Sequence, residues 1–296
     1  MHVTGAFTPR GRAPKAKHFE RGTRVVNRDS RSATNQEGDS NSQLSNKIRP
    51  PQPRPTHFLS LSLASHENLQ RKLLEFNQAL SALSPSIRGL DKTILVDPRR
   101  IHLTLGVMTL SETPTTSEDE KTLTSALSFL ASLRRRLLEM TSNAGKVDVP
   151  LNRLGLLKPE RRGTFGNVLW VGPDETDVNA QTLKSICDFV HDAFKQEGFV
   201  VETRPLKLHC TLLNTAYRKP SRSRKEAFSF LDILQSQACS LLNLDMSQLV
   251  ALNEHDCPRT PLSIDLGTYS IDKIHLCRMG SHGPNNEYIS CGSVHL

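Results

Sequence analysis

The sequence predicts an α+β fold of two related lobes between about residues 56 and 296. Three observations predict it. Apolar residues alternate with period two in several short runs, and they recur at helical spacing in the stretches between. The predicted order strand–helix–strand–helix–strand–strand is then followed by helix–strand–helix–strand–strand. The repeat is one of organisation, not of residue identity.

THFLSLSL (56–63) reads as the first strand, and SHENLQRKLLEFNQALSAL (65–83) follows as a helix with Leu69, Leu73, Phe76, Leu80 and Leu83 on one face. DPRRIHLTLGVMTL (97–110) is a strand led in by proline. Ser117 and Glu120 form a capping box for a helix carrying Leu123, Leu127, Leu130, Leu133 and Leu137. VDVPLNRLGLL (147–157) and NVLWVG (167–172) read as strands joined by a basic turn. A helix over about 177–197 presents Leu183, Ile186, Val190 and Phe194. LKLHCTLLNT (206–215) is a strand, 222–242 is helical, and 263–280 and 287–296 close the chain as strands. Lobe one is expected over about 56–172 and lobe two over about 177–296, a division by chain order that leaves room for crossing between lobes.

Residues 1–55 differ in kind. They hold eleven Lys and Arg against four acidic residues, which is +7 of the chain's formal +8. The rest is close to neutral. This segment is rich in Ser, Asn, Gln and Pro without apolar periodicity, so disorder is expected. Its PRGRAPKAK cluster (9–17) reads as a nuclear-targeting signal or a loose nucleic-acid tether, giving a nuclear and also cytoplasmic expectation. No apolar run is long enough for a signal peptide or a membrane span. Cys187, Cys210, Cys239, Cys257, Cys277 and Cys291 show no C-x-x-C and read as reduced thiols, with Cys210, Cys277 and Cys291 as small core residues.

Two stretches carry chemistry. In IHLTLG (101–106), Ile101, Leu103 and Leu105 alternate with His102 and Thr104. In LKLHCTLL (206–213), Leu208, Cys210 and Leu212 alternate with His209 and Thr211. Each lobe thus supplies one H-x-T-L tetrad, with His and Thr on one strand face. A third H-x-T, His2–Thr4, lies in the tail, is followed by Gly5, and is set aside. Imidazole titrates near neutral pH, so one histidine can take a proton while the other gives one. That suits cleavage of a phosphodiester, with Thr104 and Thr211 aimed at the non-bridging oxygens. No metal-ligand spacing is present, and no cofactor is expected.

The paired motifs and their flanks, THFLSLSL, DPRRIHLTLGVMTL, KLHCTLLNTAYRK (207–219), IHLCRMG (274–280) and YISCGSV (288–294), resemble the 2H phosphoesterase superfamily. The branch is that of A-kinase anchor protein 7 and activating signal cointegrator 1 complex subunit 1. The LH-T--NT--RK string resembles the latter most. The resemblance implies a bilobal LigT-like fold, two antiparallel sheets flanking a central cleft with helices outside. It implies His102 and His209 as the acid–base pair, Thr104 and Thr211 as phosphate ligands, and RNA-type phosphodiesters or cyclic phosphates as substrates. Coactivator- or helicase-complex proteins, in transcription regulation or DNA repair, are the implied partners; the chain alone is expected to be a monomer. One departure is that an RNA-binding KH module usually precedes this domain, and residues 1–56 are too short and polar to form one. GTFG (163–166), beside Arg161 and Arg162, matches a KH loop but lies between strands and reads as a hairpin turn.

Arg100, Asn214, Tyr217 and Arg218 are candidate substrate-binding residues, with Arg99 and Lys219 as further strand-end charges. His275 and Trp170 read as packing residues, and His57 has no assigned role. The alternative to an enzyme is a non-catalytic nucleotide- or RNA-binding subunit of a complex. A plain docking scaffold finds no support in any surface pattern.

Overall fold

A computed structural model describes residues 54–83, 86–113, 121–142, 144–160, 162–220, 226–249, 257 and 260–296. The tail readings and the expected Ser117–Glu120 capping box lie outside these residues.

Alternating apolar residues build two four-stranded antiparallel sheets. The first contains β1 (His57–Ser62), β2 (His102–Met108), β11 (Lys273–Arg278) and β12 (Ser290–His295), in the order β12-β11-β1-β2. The second contains β4 (Arg153–Leu156), β6 (Val168–Gly172), β7 (Cys210–Asn214) and β9 (Leu262–Ser263), in the order β7-β6-β4-β9. Among the described residues, two short pairs complete the strands: β3 (Val147–Pro150) with β10 (Thr268–Ile271), and β5 (Phe165–Gly166) with β8 (Phe228–Ser229). The lobe boundaries expected at 172 and 177 are therefore not those of the sheets. The chain leaves the first sheet after β2, builds the second, and returns for β11 and β12, because β1 finds its second partner at the C-terminal end.

The helices cover the apolar faces. α1 (Glu67–Ala82) buries Leu69, Leu73, Phe76 and Leu80, the face expected from its spacing. α4 (Gln181–Gln196) buries Leu183, Ile186, Val190 and Phe194, with Cys187 and His191 between them, and packs on β2 and β3. The leucine-rich stretch after residue 122 forms two helices, α2 (Leu123–Ser132) and α3 (Arg134–Met140), packed on β12. Its observed capping box is Thr122 with Ser125. Each fully buried Leu or Ile contributes roughly 1.5–3 kcal/mol, so these stripes hold the sheets in place.

Several expected elements are shorter or broken: the strand run 263–280 divides into the end of β9, β10 and β11, and the closing strand begins at Ser290 and not at Glu287. The run 147–157 splits after Pro150, whose missing N–H cannot extend a ladder. There the chain switches sheets: Leu151 donates to Gly267 and Asn152 to Gly172. The helical reading over 222–242 resolves into α5 (Phe230–Leu234) and a 3₁₀ segment, Gln237–Leu242, with 221–225 outside the described residues. The strand expected from Leu206 begins only at Cys210, because its partner β6 ends at Gly172. GTFG forms a turn and β5 between strands, with Gly163 at φ +70°. Cys210 and Cys277 are buried as expected, whereas Cys291 is half-buried.

Candidate active site

Both tetrads present the faces their alternation predicts. Ile101, Leu103 and Leu105 are at most 1% exposed, and Leu208, Cys210 and Leu212 at most 3%. His102, Thr104, His209 and Thr211 are half-buried on the other face. His102 opens β2, and His209 sits one residue ahead of β7.

The two rings are held by one device. His102 Nδ1 lies 2.7 Å from the carbonyl oxygen of Arg100, and His209 Nδ1 lies 2.8 Å from that of Lys207. A carbonyl can only accept, so each Nδ1 carries the proton and each Nε2 is the nitrogen left for chemistry. The Thr104 hydroxyl donates to His102 Nε2 at 3.0 Å.

The fourth position of each tetrad is bulged. Opposite β1, the register passes from Gly106 to Thr104 and skips Leu105; opposite β6, it passes from Leu213 to Thr211 and skips Leu212. Each bulged leucine turns its carbonyl out of the ladder to a partner elsewhere. Leu105 accepts from His191 Nδ1 at 2.7 Å, and Leu212 accepts from the Val96 N–H at 2.9 Å. A bulge re-aims the adjoining side chain, here the threonine in both tetrads. The Val96–Leu212 bond, with the Leu95–Leu213 bridge, also ties the segment leading into β2 directly onto β7. That tie brings the two motif strands together.

Two adjoining cavities record the result. One of about 170 Å³ is lined by His102, Thr104 and Thr211, with Phe58, Tyr217 and Tyr288 around them. The next, about 410 Å³, is lined by Thr104 and His209, with Lys158, Arg204 and Lys207 at its margin. Thr104 lines both, and between them the two cavities take in all four motif residues. Burial pushes the His102 imidazole down to about 4, assisted by the nearby charge of His209 and by Arg100. Burial likewise lowers His209, with Lys207 adding to the effect. Both rings are therefore neutral at pH 7, and an anion placed between them would raise both.

The expected binding residues divide. Arg100 lines the smaller cavity, but its Nη1 donates to the Ser281 and Asn286 carbonyls and lies 2.9 Å from His282 Nδ1. It positions more than it binds: its carbonyl holds His102, and its guanidinium lies 3.7 Å over the Tyr288 ring. Asn214 caps the turn after β7, accepting from the Ala216 N–H. Tyr217 reaches the cavity, with burial and the neighbouring Tyr288 raising its hydroxyl to about 12. Arg218 is the correction. It is 4% exposed, and its Nη2 donates to the Gly89 and Glu226 carbonyls. It joins two loops, lies 3.9 Å from the Asp91 carboxylate and lines neither of the two cavities.

Sequence reasoning missed the packing around each histidine. Phe58 and Tyr288 lie 5.0 and 5.2 Å from the His102 ring. Trp170, buried as expected, stands edge-on 6.5 Å from His209 beneath Lys207. Phe58 and Tyr288 were legible as residues of strand-like runs, Tyr288 within YISCGSV, but not as neighbours of His102, since the place of Tyr288 depends on a loop returning from the C-terminal end. His57 is sealed at the far end of β1 beside Thr56. Among the described residues, no group of three or more His, Cys, Asp or Glu is arranged to hold a metal ion, and no helix is long and apolar enough to cross a membrane.

Comparison with known proteins gives three findings. The profile of the AKAP7 2'5' RNA ligase-like domain matches residues 55–296. Activating signal cointegrator 1 complex subunit 1 of Mus musculus is 26% identical over 165 residues, covering 55% of this chain and 43% of that protein. The chain thus aligns with less than half the length of that relative. Among solved structures, E.coli LigT complexed with 3'-AMP is 15% identical with a TM-score of 0.45, covering 82% of this chain and 98% of LigT. TT0787 of Thermus thermophilus is 18% identical with a TM-score of 0.40, covering 81% and 97%.

Proposed function

The chain belongs to the AKAP7 2'5' RNA ligase-like domain family, within the 2H phosphoesterase superfamily, and we propose that it is a metal-independent phosphodiesterase acting on RNA-type phosphodiesters or cyclic phosphates. The observation that carries this reading is the matched pair of histidines, each with Nδ1 tied to the carbonyl two residues upstream.

One histidine, neutral at Nε2, takes the proton of a 2′-hydroxyl or a water as that oxygen attacks phosphorus. The other, protonated at Nε2, gives its proton to the oxygen that leaves. The first ends protonated and the second neutral. Thr104 and Thr211 donate to the non-bridging oxygens, where charge grows in the transition state. The direction of the linkage in the cleft sets which histidine is base and which is acid. The phosphate dianion or diester supplies the negative charge that restores a proton to one buried ring.

The test uses 2′,3′-cyclic, 2′–5′ and 3′–5′ substrates in EDTA, with wild type beside the His102→Ala, His209→Ala double variant. Wild type is expected to cleave at least one class, and the double variant to lose on the order of 10³-fold or more. Activity that survives in the double variant overturns the assignment.

A second reading is favoured by the matched relative, whose name is that of a complex subunit. In it the cleft holds a nucleotide or RNA end without turnover, inside a coactivator or repair complex. Nucleotide binding by calorimetry with no product after long incubation would select it. The basic 9–17 segment supports a nuclear location; a fluorescent fusion with and without that segment tests it.

A further inference from the structure

His191 interrupts the apolar stripe of α4, between Cys187 and Phe194 at helical spacing, and is 5% exposed. Its Nδ1 meets the Leu105 carbonyl oxygen at 2.7 Å. A carbonyl only accepts, so this nitrogen carries the proton and Nε2 is bare. Nε2 is buried and has no hydrogen-bond partner among the described residues. An apolar residue would fill the stripe without that penalty. What the histidine adds is one N–H, aimed at one carbonyl.

That carbonyl belongs to the bulged residue of the first tetrad. Across β1 and β2, Leu59 pairs with Gly106 and Ser60 with Thr104. A regular ladder would set Leu105 opposite Ser60 and Thr104 opposite Leu61, which is fully buried. Paired residues share a face, so closing the bulge would turn Thr104 from the cleft toward the core. The second tetrad does not depend on a side chain in this way. Its bulged carbonyl, that of Leu212, accepts from the backbone N–H of Val96. Gly106 lets α4 come this close to β2. The turn after α4 folds Val200 back, its N–H donating to the Phe194 carbonyl, and a Cβ on Gly106 would lie 2.7 Å from Val200 Cγ2.

From these contacts, and resting on the reading that Thr104 serves the phosphate, we propose that His191 is a positioning residue for the reaction. Its Nδ1–H holds the Leu105 carbonyl out of the ladder and so keeps the Thr104 hydroxyl on the cleft face beside His102. Thr104 already donates to His102 Nε2 at 3.0 Å, so losing the bulge moves the hydroxyl away from both the phosphate and the imidazole. An interaction that strengthens as charge grows on the phosphate is felt in kcat more than in KM.

The test is a double-variant cycle, read on whichever of 2′,3′-cyclic AMP, 2′–5′ diadenylate and 3′–5′ diadenylate the wild type cleaves. His191→Leu is expected to lower kcat about 10²-fold with KM within about two-fold. His191→Asn, whose amide N–H can take the place of Nδ1–H, is expected to recover most of that loss. Thr104→Val should also lower kcat about 10²-fold, and adding His191→Leu to it should change kcat by no more than about two-fold, since an absent hydroxyl cannot be misplaced. Losses that multiply in the double variant, or an Asn variant as impaired as the Leu variant, overturn the proposal. If His191→Leu fails to fold, His191→Gln replaces it, keeping a polar side chain but carrying its N–H one bond farther out; wild-type kcat in that variant overturns the proposal. A readout apart from turnover is the Thr104 methyl resonance in methyl-labelled protein. It should move in His191→Leu and stay in His191→Asn, with the Thr211 methyl fixed in both. Should the wild type cleave none of the three substrates, the phosphodiesterase reading falls and the methyl resonance decides: a Thr104 signal that does not move in His191→Leu rejects the positioning role.

Discussion

A backbone carbonyl two residues upstream decides which nitrogen of each histidine carries the proton, and burial lowers its proton affinity. Folding lowers the affinity of His102 and His209 below that of a free imidazole, to about 4 at His102. The unfolded chain therefore binds more protons between pH 6.5 and about 4, so stability falls as pH drops through that window, by at most about 3 kcal/mol for His102. Urea unfolding at pH 7 and pH 4.5 should show the loss, and equal stability at both would contradict it. For catalysis the sign is the same: the proton-donating form exists at acid pH. The kcat/KM profile should fall with rising pH along a limb centred below 6.5; a limb centred above that value would place the acid elsewhere. Arg218 tests a different residue-scale statement. Arg218→Met strands the Gly89 and Glu226 carbonyls, and should cost about 3 kcal/mol of stability by thermal unfolding with KM unchanged. A raised KM at full stability would return Arg218 to substrate binding. The residue type alone pointed to phosphate; its burial depends on two loops distant in sequence.

Among the elements, the strand ends do the positioning. β6 stops at Gly172, where a Cβ would lie 2.7 Å from the Leu208 carbonyl oxygen and 3.4 Å from His209 Cα. Glycine is needed there because two backbones pass too closely for any side chain. Gly172→Ala should displace His209 and lower kcat by about 10²-fold, the usual penalty for a misplacement near 1 Å. Unchanged kcat, with the fold verified by circular dichroism, would show that the site tolerates the shift. The period-two alternation of both tetrads was legible because it is a local property of an extended chain. The bulges at Leu105 and Leu212 were not, since an extra residue is defined only against a partner strand. The same holds for the break at Pro150: the proline is visible in the sequence, but the sheet change it accompanies is not.

At the scale of the molecule, the two sheets are interleaved along the chain. β11 lies between β1 and β12, so the last strands complete the sheet that the first strands begin. Deleting residues 273–296 should leave β1 with an exposed edge and yield an unfolded or aggregated chain, by circular dichroism and gel filtration. A soluble, cooperatively folded truncation would show that the lobes divide by chain order after all. Alternation, helical spacing and the two H-x-T-L tetrads are short-range patterns, so the sequence by itself determined the α+β class, the motif residues and their apolar anchors. Which strands pair, which arginine is sealed and where Tyr288 meets His102 were decided by the tertiary structure alone. Those contacts join residues far apart along the chain, and their free energy depends on the whole chain closing, not on any local pattern.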